Sequence, residues 1–190
     1  MDLPNRGAIE YDASGKSVGN LDTVLIAFDE EGGITDSGAL EIQAVYISGN
    51  VRRPFERYME DPEVWVATGW AESRDYPRPD YLSSSRKRLI PQLLFKGGIL
   101  RSWNKKIAVA LGKTFYDALP PMAQVDKQDA EIAWLVYDLE LTSGRYRLTK
   151  VYEAFTKFDS AMLTMITPSP SRIEEFVTQL RKRLNGRLEV

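Results

Sequence analysis

Ala39-Leu40-Glu41-Ile42-Gln43-Ala44-Val45-Tyr46-Ile47 decides the reading of this chain. β-branched and aromatic residues dominate it, and Gly38 and Gly49 bound it, so it predicts a β-strand. Its neighbours are apolar on both faces, which predicts an interior strand covered on each side. Period-two alternation puts Glu41 and Gln43 on one face, with Ala39, Val45 and Ile47. A half-buried Glu is costly unless its charge is compensated. Two compensators stand open: a divalent cation, or an Arg or Lys from a neighbouring element.

The upstream residues bear on that choice. Gly19-Asn20-Leu21-Asp22 leads into Thr23-Val24-Leu25-Ile26-Ala27-Phe28, a second apolar strand. Asp29-Glu30-Glu31-Gly32-Gly33 and Thr35-Asp36-Ser37-Gly38 lie between the two and read as turn chemistry throughout. An antiparallel hairpin is the simplest geometry. It brings Asp22, Glu41 and Gln43 together near one end.

Working outward, 190 residues fit a single domain spanning 1–190. The stretch 48–82 is rich in Arg, Pro, Trp and Tyr and predicts a long loop region with short elements, a kind of connection that is often functional. Ser83-Ser84-Ser85 predicts a helix start. Leu89 and Leu93, then Phe95 or Ile99, supply its buried face, with Pro91 a kink or late start and Gly97-Gly98 a break. Strands follow at 106–111, 132–137 and 146–152, with a helical turn at 114–119. A C-terminal helix covers about 171–184, opened by the capping-box spacing of Ser171 and Glu174 and ended by Gly186. Its apolar stripe is Phe176, Leu180 and Leu184. Strands and helices interleave, so the class is α/β or α+β with a mixed sheet. Leu111-Gly112-Lys113-Thr114 ends like a phosphate-binding loop, but Ile107 stands where the motif needs Gly.

Two absences narrow the chemistry. The chain has no Cys and no His. Disulfides, thiol nucleophiles, zinc-thiolate or iron-thiolate sites and imidazole bases are excluded. Oxygen-bound metals remain, and these are Mg²⁺, Mn²⁺ or Ca²⁺. A net charge of −2 gives no global pull toward nucleic acid. Basic residues cluster locally at Arg52-Arg53, Arg86-Lys87-Arg88, Lys105-Lys106 and Arg181-Lys182-Arg183. No apolar run reaches membrane-spanning length and the start is no signal peptide, so the expectation is a cytoplasmic protein without membrane association.

Asp, a hairpin, then Glu-x-Gln resembles the layout of the PD-(D/E)xK nucleases, in which Lys usually stands where Gln43 is. Residues 41–52 resemble the catalytic strand and following turn of NotI-type restriction endonucleases. The block Pro79-Asp80-Tyr81-Leu82-Ser83-Ser84-Ser85-Arg86-Lys87-Arg88-Leu89-Ile90-Pro91-Gln92, running through Lys96 to Trp103-Asn104-Lys105-Lys106, is similar to a second block of that family. The similarity runs from about residue 15 to about 155. The family's type member also carries a cysteine-ligated iron module, which a chain without Cys lacks. The chain is therefore a compact relative or the nuclease portion of something longer.

The resemblance implies a mixed central sheet flanked by helices and a Mg²⁺-dependent (or Mn²⁺-dependent) restriction-type endonuclease acting on double-stranded DNA as a homodimer. Asp22 and Glu41 would bind the metal, with the Ile42 carbonyl as third ligand. Gln43 takes no proton near neutral pH, which leaves water activation to the metal. Glu10 resembles the superfamily's additional acidic residue by position, and equally fits a surface Glu. Arg52, Arg53, Lys87, Arg88 and Lys105 are candidates for DNA contacts. Ser84 and Ser85 would cap the helix, hold a phosphate on free N–H groups, or both. Gln92 either reaches the site or satisfies a buried backbone group. Trp65, Trp70, Trp103 and Trp134 are expected in the core. A non-catalytic DNA-binding module on a degenerate nuclease fold and a protein-interaction domain are the alternatives.

Overall fold

The computed structural model describes residues 9–11, 17–66, 76–167 and 172–188. Turn chemistry and alternation build its first half. β1 (Ile9–Tyr11) pairs with β2 (Ser17–Asn20) in a small antiparallel sheet. β3 (Thr23–Phe28) and β4 (Ile34–Gln43) form the expected hairpin, with Thr23 opposite Leu40. Its turn is held by Asp29, whose Oδ1 accepts the N–H groups of Glu31 and Gly33. Gly32 there adopts a φ of 85°, a conformation open to glycine. The second turn signal, Thr35 to Gly38, lies inside β4. Gly38 is there because a side chain would press on the Lys106 carbonyl, which accepts the Ala39 N–H.

The main sheet has the order β3-β4-β7-β8-β9. β7 (Ile107–Gly112) and β8 (Ile132–Thr142) run parallel to β4, while β3 and β9 (Arg145–Thr156) are antiparallel edges. This is the mixed sheet expected. Alternate residues face one core: Ala39, then Ile107, Val109 and Leu111, then Ile132, Trp134 and Val136. The Trp134 indole N–H donates to Thr156 Oγ1 at 3.1 Å, so its one polar atom is satisfied in the dry interior. The expectation of a strand covered on both sides is corrected, since Ile42 on the opposite face is 64% exposed.

A helical run over residues 81–102, α3, crosses the buried face. Asp80 caps it by accepting the Ser83 N–H at 2.9 Å, so the N-cap is Asp80 rather than a serine. Two π-helical stretches, Ser85–Leu89 and Leu93–Gly97, alternate with α-helical turns. Pro91 has no N–H to donate, and the widened turns absorb it without a break. Gly97-Gly98 do not end the run either. A side chain at Gly97 would meet the Phe158 ring at 2.8 Å, so this glycine is a packing contact with α5 (Phe158–Ile166). Leu89, Leu93 and Leu100 join Phe158, Ala161 and Met162 in the core.

The stretch 48–82 carries more structure than a loop. β5 (Tyr46–Ser48) pairs with β6 (Arg78–Asp80), and α1 (Arg52–Glu60) and α2 (Pro62–Val66) lie between them. α1 buries no residue, although Phe55, Tyr58 and Met59 share one of its faces. α4 (Lys113–Asp117) follows β7, and α6 (Ile173–Leu188) closes the chain, continuing through Gly186. Phe176, Leu180 and Leu184 of α6 are exposed. Of the tryptophans, Trp134 is core, Trp65 is half-buried, Trp103 is exposed, and Trp70 lies outside the described residues. No helix of the described residues is long and apolar enough to cross a membrane.

Candidate functional site

The site forms where the β3–β4 ladder runs out. Asp22 precedes β3, and at that point its side chain replaces a backbone acceptor. Asp22 Oδ2 accepts the Ile42 N–H at 2.8 Å, and the Asp22 N–H approaches Glu41 Oε1 at 3.3 Å. The hairpin thus sets the Asp22 backbone N–H on the Glu41 carboxylate and the Ile42 N–H on the Asp22 carboxylate. Asp22 is exposed, while Glu41 is 4% exposed and shares the buried face with Ala39 and Gln43.

The compensator of Glu41 is a lysine. Lys96 reaches from the second π-helical stretch of α3 and donates to Glu41 Oε2 at 2.7 Å, across 55 residues of sequence. Both side chains are buried. A buried ion pair is costly to assemble and more costly to break on one side. Glu41 therefore has one oxygen gripped by Lys96 and the other turned toward Asp22. The sequence reading missed Lys96, although it carried a signal. Leu89, Leu93, Lys96 and Leu100 share one helical stripe, and a lysine on an apolar stripe needs a buried partner. Phe95, expected on that face, is exposed instead.

Gln43 is buried and donates its amide N–H to the Ala44 carbonyl at 2.7 Å, closing the end of the strand. Glu10 lies in β1 opposite Gly19, and its side chain falls outside the described residues. The expected DNA-contact residues divide. Lys87 and Arg88 are exposed on α3, and Arg88 stacks over the Tyr46 ring at 4.9 Å. Arg53 is exposed; Arg52 is ion-paired with Glu56 at 2.5 Å, and Asn50 accepts the N–H groups of both arginines. Lys105 is held by Asp36 at 2.6 Å, and Gln92 is half-buried.

Ser84 does something other than face a phosphate. It is fully buried, its hydroxyl donates to the Asp80 carbonyl, and it accepts the Tyr46 N–H, both at 2.7 Å. It ties α3 to β5. Ser85 donates to the Leu82 carbonyl. The Ser83 N–H is taken by Asp80.

One carboxylate oxygen at this corner is left without a protein partner among the described residues. Asp22 Oδ1 has no protein partner among the described residues, and Glu41 Oε1 makes one long contact. Carboxylate oxygens are the donors a hard divalent cation such as Mg²⁺ takes, and Mg²⁺ keeps several of its waters. The described residues contain no group of three or more Asp, Glu, His or Cys side chains able to hold a metal. Any ion here therefore leans on backbone and water.

A model of the family described as "Restriction endonuclease NotI" matches residues 5–149. No curated protein matches the chain. The matched span contains Asp22, Glu41, Gln43, Lys96 and the whole of the main sheet up to the middle of β9.

Proposed function

The chain belongs to the NotI restriction endonuclease family, and from that premise we propose that it is a divalent-cation-dependent, site-specific endonuclease of double-stranded DNA. The observation that carries this reading is the contact between Asp22 and Glu41 at the end of the β3–β4 hairpin. The layout also supports a place in the PD-(D/E)xK superfamily and a type II manner of cutting. Asp22 and Glu41, with the Ile42 carbonyl, would hold Mg²⁺ or Mn²⁺.

When bound, the cation supplies activation of water and stabilisation of charge on the phosphodiester undergoing hydrolysis. The protein's own groups do the rest. Asp22 is fixed by the Ile42 N–H, so its remaining oxygen is aimed without a further loss of rotamer freedom. Gln43 is neutral and takes no proton, so its part is to close the strand end beside Glu41. Lys87, Arg88 and Arg53, exposed and basic, are suited to backbone phosphates and would position the duplex without reading sequence. Symmetric cutting of both strands calls for two copies about a two-fold axis, so the working unit in this reading is a homodimer. A restriction nuclease would work in the cytoplasm, where foreign DNA arrives.

The Glu41–Lys96 pair favours a second reading, a non-catalytic DNA-binding or protein-interaction domain in which Glu41 is a structural ion-pair partner. One experiment separates the two. Wild type and Asp22→Asn are incubated with plasmid and diverse genomic DNAs in Mg²⁺ or Mn²⁺. Discrete fragments from wild type, lost in the variant and in chelator, support the endonuclease. Equal behaviour of both proteins on every DNA would leave the non-catalytic reading standing.

A further inference from the structure

α6 carries an apolar stripe that its own chain leaves open. Ile173, Phe176, Leu180 and Leu184 are exposed, Val177 is half-buried, and none of the described side chains of α6 is buried. A helix of 16 residues is marginal in water by itself, and helices in proteins are held chiefly by packing of their apolar face. The stripe has a definite period. Ile173, Val177, Leu180 and Leu184 are spaced four, three and four residues apart, the alternation of a coiled-coil seam.

The charges say what covers it. Glu174 and Glu175 open the helix, and Arg181, Lys182 and Arg183 follow about two turns later. The residues three and four places after each Glu are Val177, Thr178 and Gln179, so no ion pair closes along the helix. Among the described residues none of these five side chains is ion-paired elsewhere. Laid antiparallel on a second α6, the same charges find partners. About a two-fold axis between Thr178 and Gln179, Ile173 packs on Leu184 of the second copy and Val177 on its Leu180. Glu174 then flanks Arg181 of the second copy, and Phe176 offers its ring to Arg183. Symmetry makes each contact twice. A parallel pair would instead set the Arg181-Lys182-Arg183 cluster against itself.

We propose that α6 is a self-association surface whose occupant is α6 of a second copy, packed antiparallel. The family match ends at residue 149, ahead of this helix. The proposal does not rest on the endonuclease reading, which calls for two copies and leaves open which surfaces meet. A seam of about three turns is small beside a standard interface, so the dimer should dissociate with a constant on the order of 10 μM.

Sedimentation equilibrium of the full chain tests this, in chelator and without DNA, over about 1–300 μM. Wild type should show a reversible monomer–dimer equilibrium. Leu180→Glu puts a carboxylate into the seam and should weaken association at least about tenfold. Its melting temperature in dilute solution should match wild type, because Leu180 is exposed in the single chain. Glu174→Arg sets like charges together at both flanks of the pair, and so does Arg181→Glu. Each alone should associate about tenfold more weakly. Mixed in equal amounts, the two variants complement each other and should associate about as tightly as wild type.

A wild type that stays monomeric throughout would overturn the proposal. So would a mixture no tighter than its separate variants. Unchanged dimerisation of Leu180→Glu puts the interface elsewhere; the proposal then fails while the homodimer of the endonuclease reading survives. A lower melting temperature of dilute Leu180→Glu means that α6 packs on its own chain, and the proposal fails again. A wild type that pairs through α6 yet cuts no DNA upholds the proposal and removes the endonuclease.

Discussion

Glu41 and Glu131 each tie the central sheet to α3, Glu41 through Lys96 and Glu131 through Arg101. The surroundings differ. Glu131 is half-exposed; its Oε2 accepts the Phe158 N–H at 2.8 Å, and its Oε1 meets an arginine that also clasps Asp159 through two hydrogen bonds. Neutral donors and solvent share that charge, and the result anchors the start of α5. Glu41 is dry, its cation partner is equally buried, and its other oxygen faces the Asp22 backbone N–H. Similar pairing chemistry thus gives a solvated brace at the C-terminal end of α3 and a dry ion pair shortly before it. The difference lies in the missing solvent and in the cation, a buried lysine at Glu41 against a shared, half-exposed arginine at Glu131.

Removing partners one at a time should expose this contrast most strongly at Glu41. Glu41→Leu or Lys96→Met alone leaves a buried charge unpaired and should cost about 3–5 kcal/mol in urea unfolding. The double variant removes both charges and should unfold within about 1 kcal/mol of wild type or above it, while cleaving no DNA. Single variants that unfold like wild type would mean that this pair is solvated, as at Glu131.

Asp22→Asn should separate stability from chemistry. Its amide oxygen still accepts the Ile42 N–H, so the melting temperature should hold. Cleavage should drop at least about a hundredfold. A large fall in melting temperature with activity retained would place Asp22 on the structural side of the comparison.

Glu131→Gln should show the converse. The Phe158 N–H above all holds the Glu131 carboxyl below its ordinary value of 4.5, with burial opposing it and Arg101 and Lys157 assisting. A depressed carboxylate contributes stability that is present above the unfolded-state value and lost as pH falls through the folded one. The variant should be about 1 kcal/mol less stable at pH 7, with the gap closing as pH drops below about 4. DNA cleavage at neutral pH should be unchanged. A gap that persists in acid would remove the charge from the explanation.

The smallest effect is expected on the exposed face of α3. Lys87→Ala should weaken DNA binding across sequences and reduce the slope of log affinity against log salt by about 0.9. Fluorescence anisotropy at several salt concentrations measures this, and an unchanged slope would take Lys87 off the phosphate path.

The hairpin was legible because two apolar strands flank an Asp-Gly-rich turn, and alternation then fixed which side chains of β4 meet Asp22. The helix block 83–92 was legible as a helix, but its punctuation was misread. Gly38, Gly97 and Gly98 look like boundaries in sequence. In the fold, Gly38 and Gly97 are where the Lys106 carbonyl and the Phe158 ring approach too closely for a side chain. Lys96 went unseen because the stripe reading sought an apolar residue at its turn, and only tertiary packing shows that Glu41 waits there. α1 differs: Phe55, Tyr58 and Met59 give it a short apolar face at helical spacing, but none of its residues is buried.

The central claim is that Asp22 and Glu41 share a divalent cation when DNA is bound. An anomalous difference map from crystals of the chain with duplex DNA and Mn²⁺ tests it most directly. The account predicts a peak at about 2.0–2.6 Å from oxygens of both side chains, with Lys96 still on Glu41 Oε2. Manganese found only elsewhere, with Asp22 empty and Glu41 spending both oxygens on protein groups beside bound DNA, would contradict it.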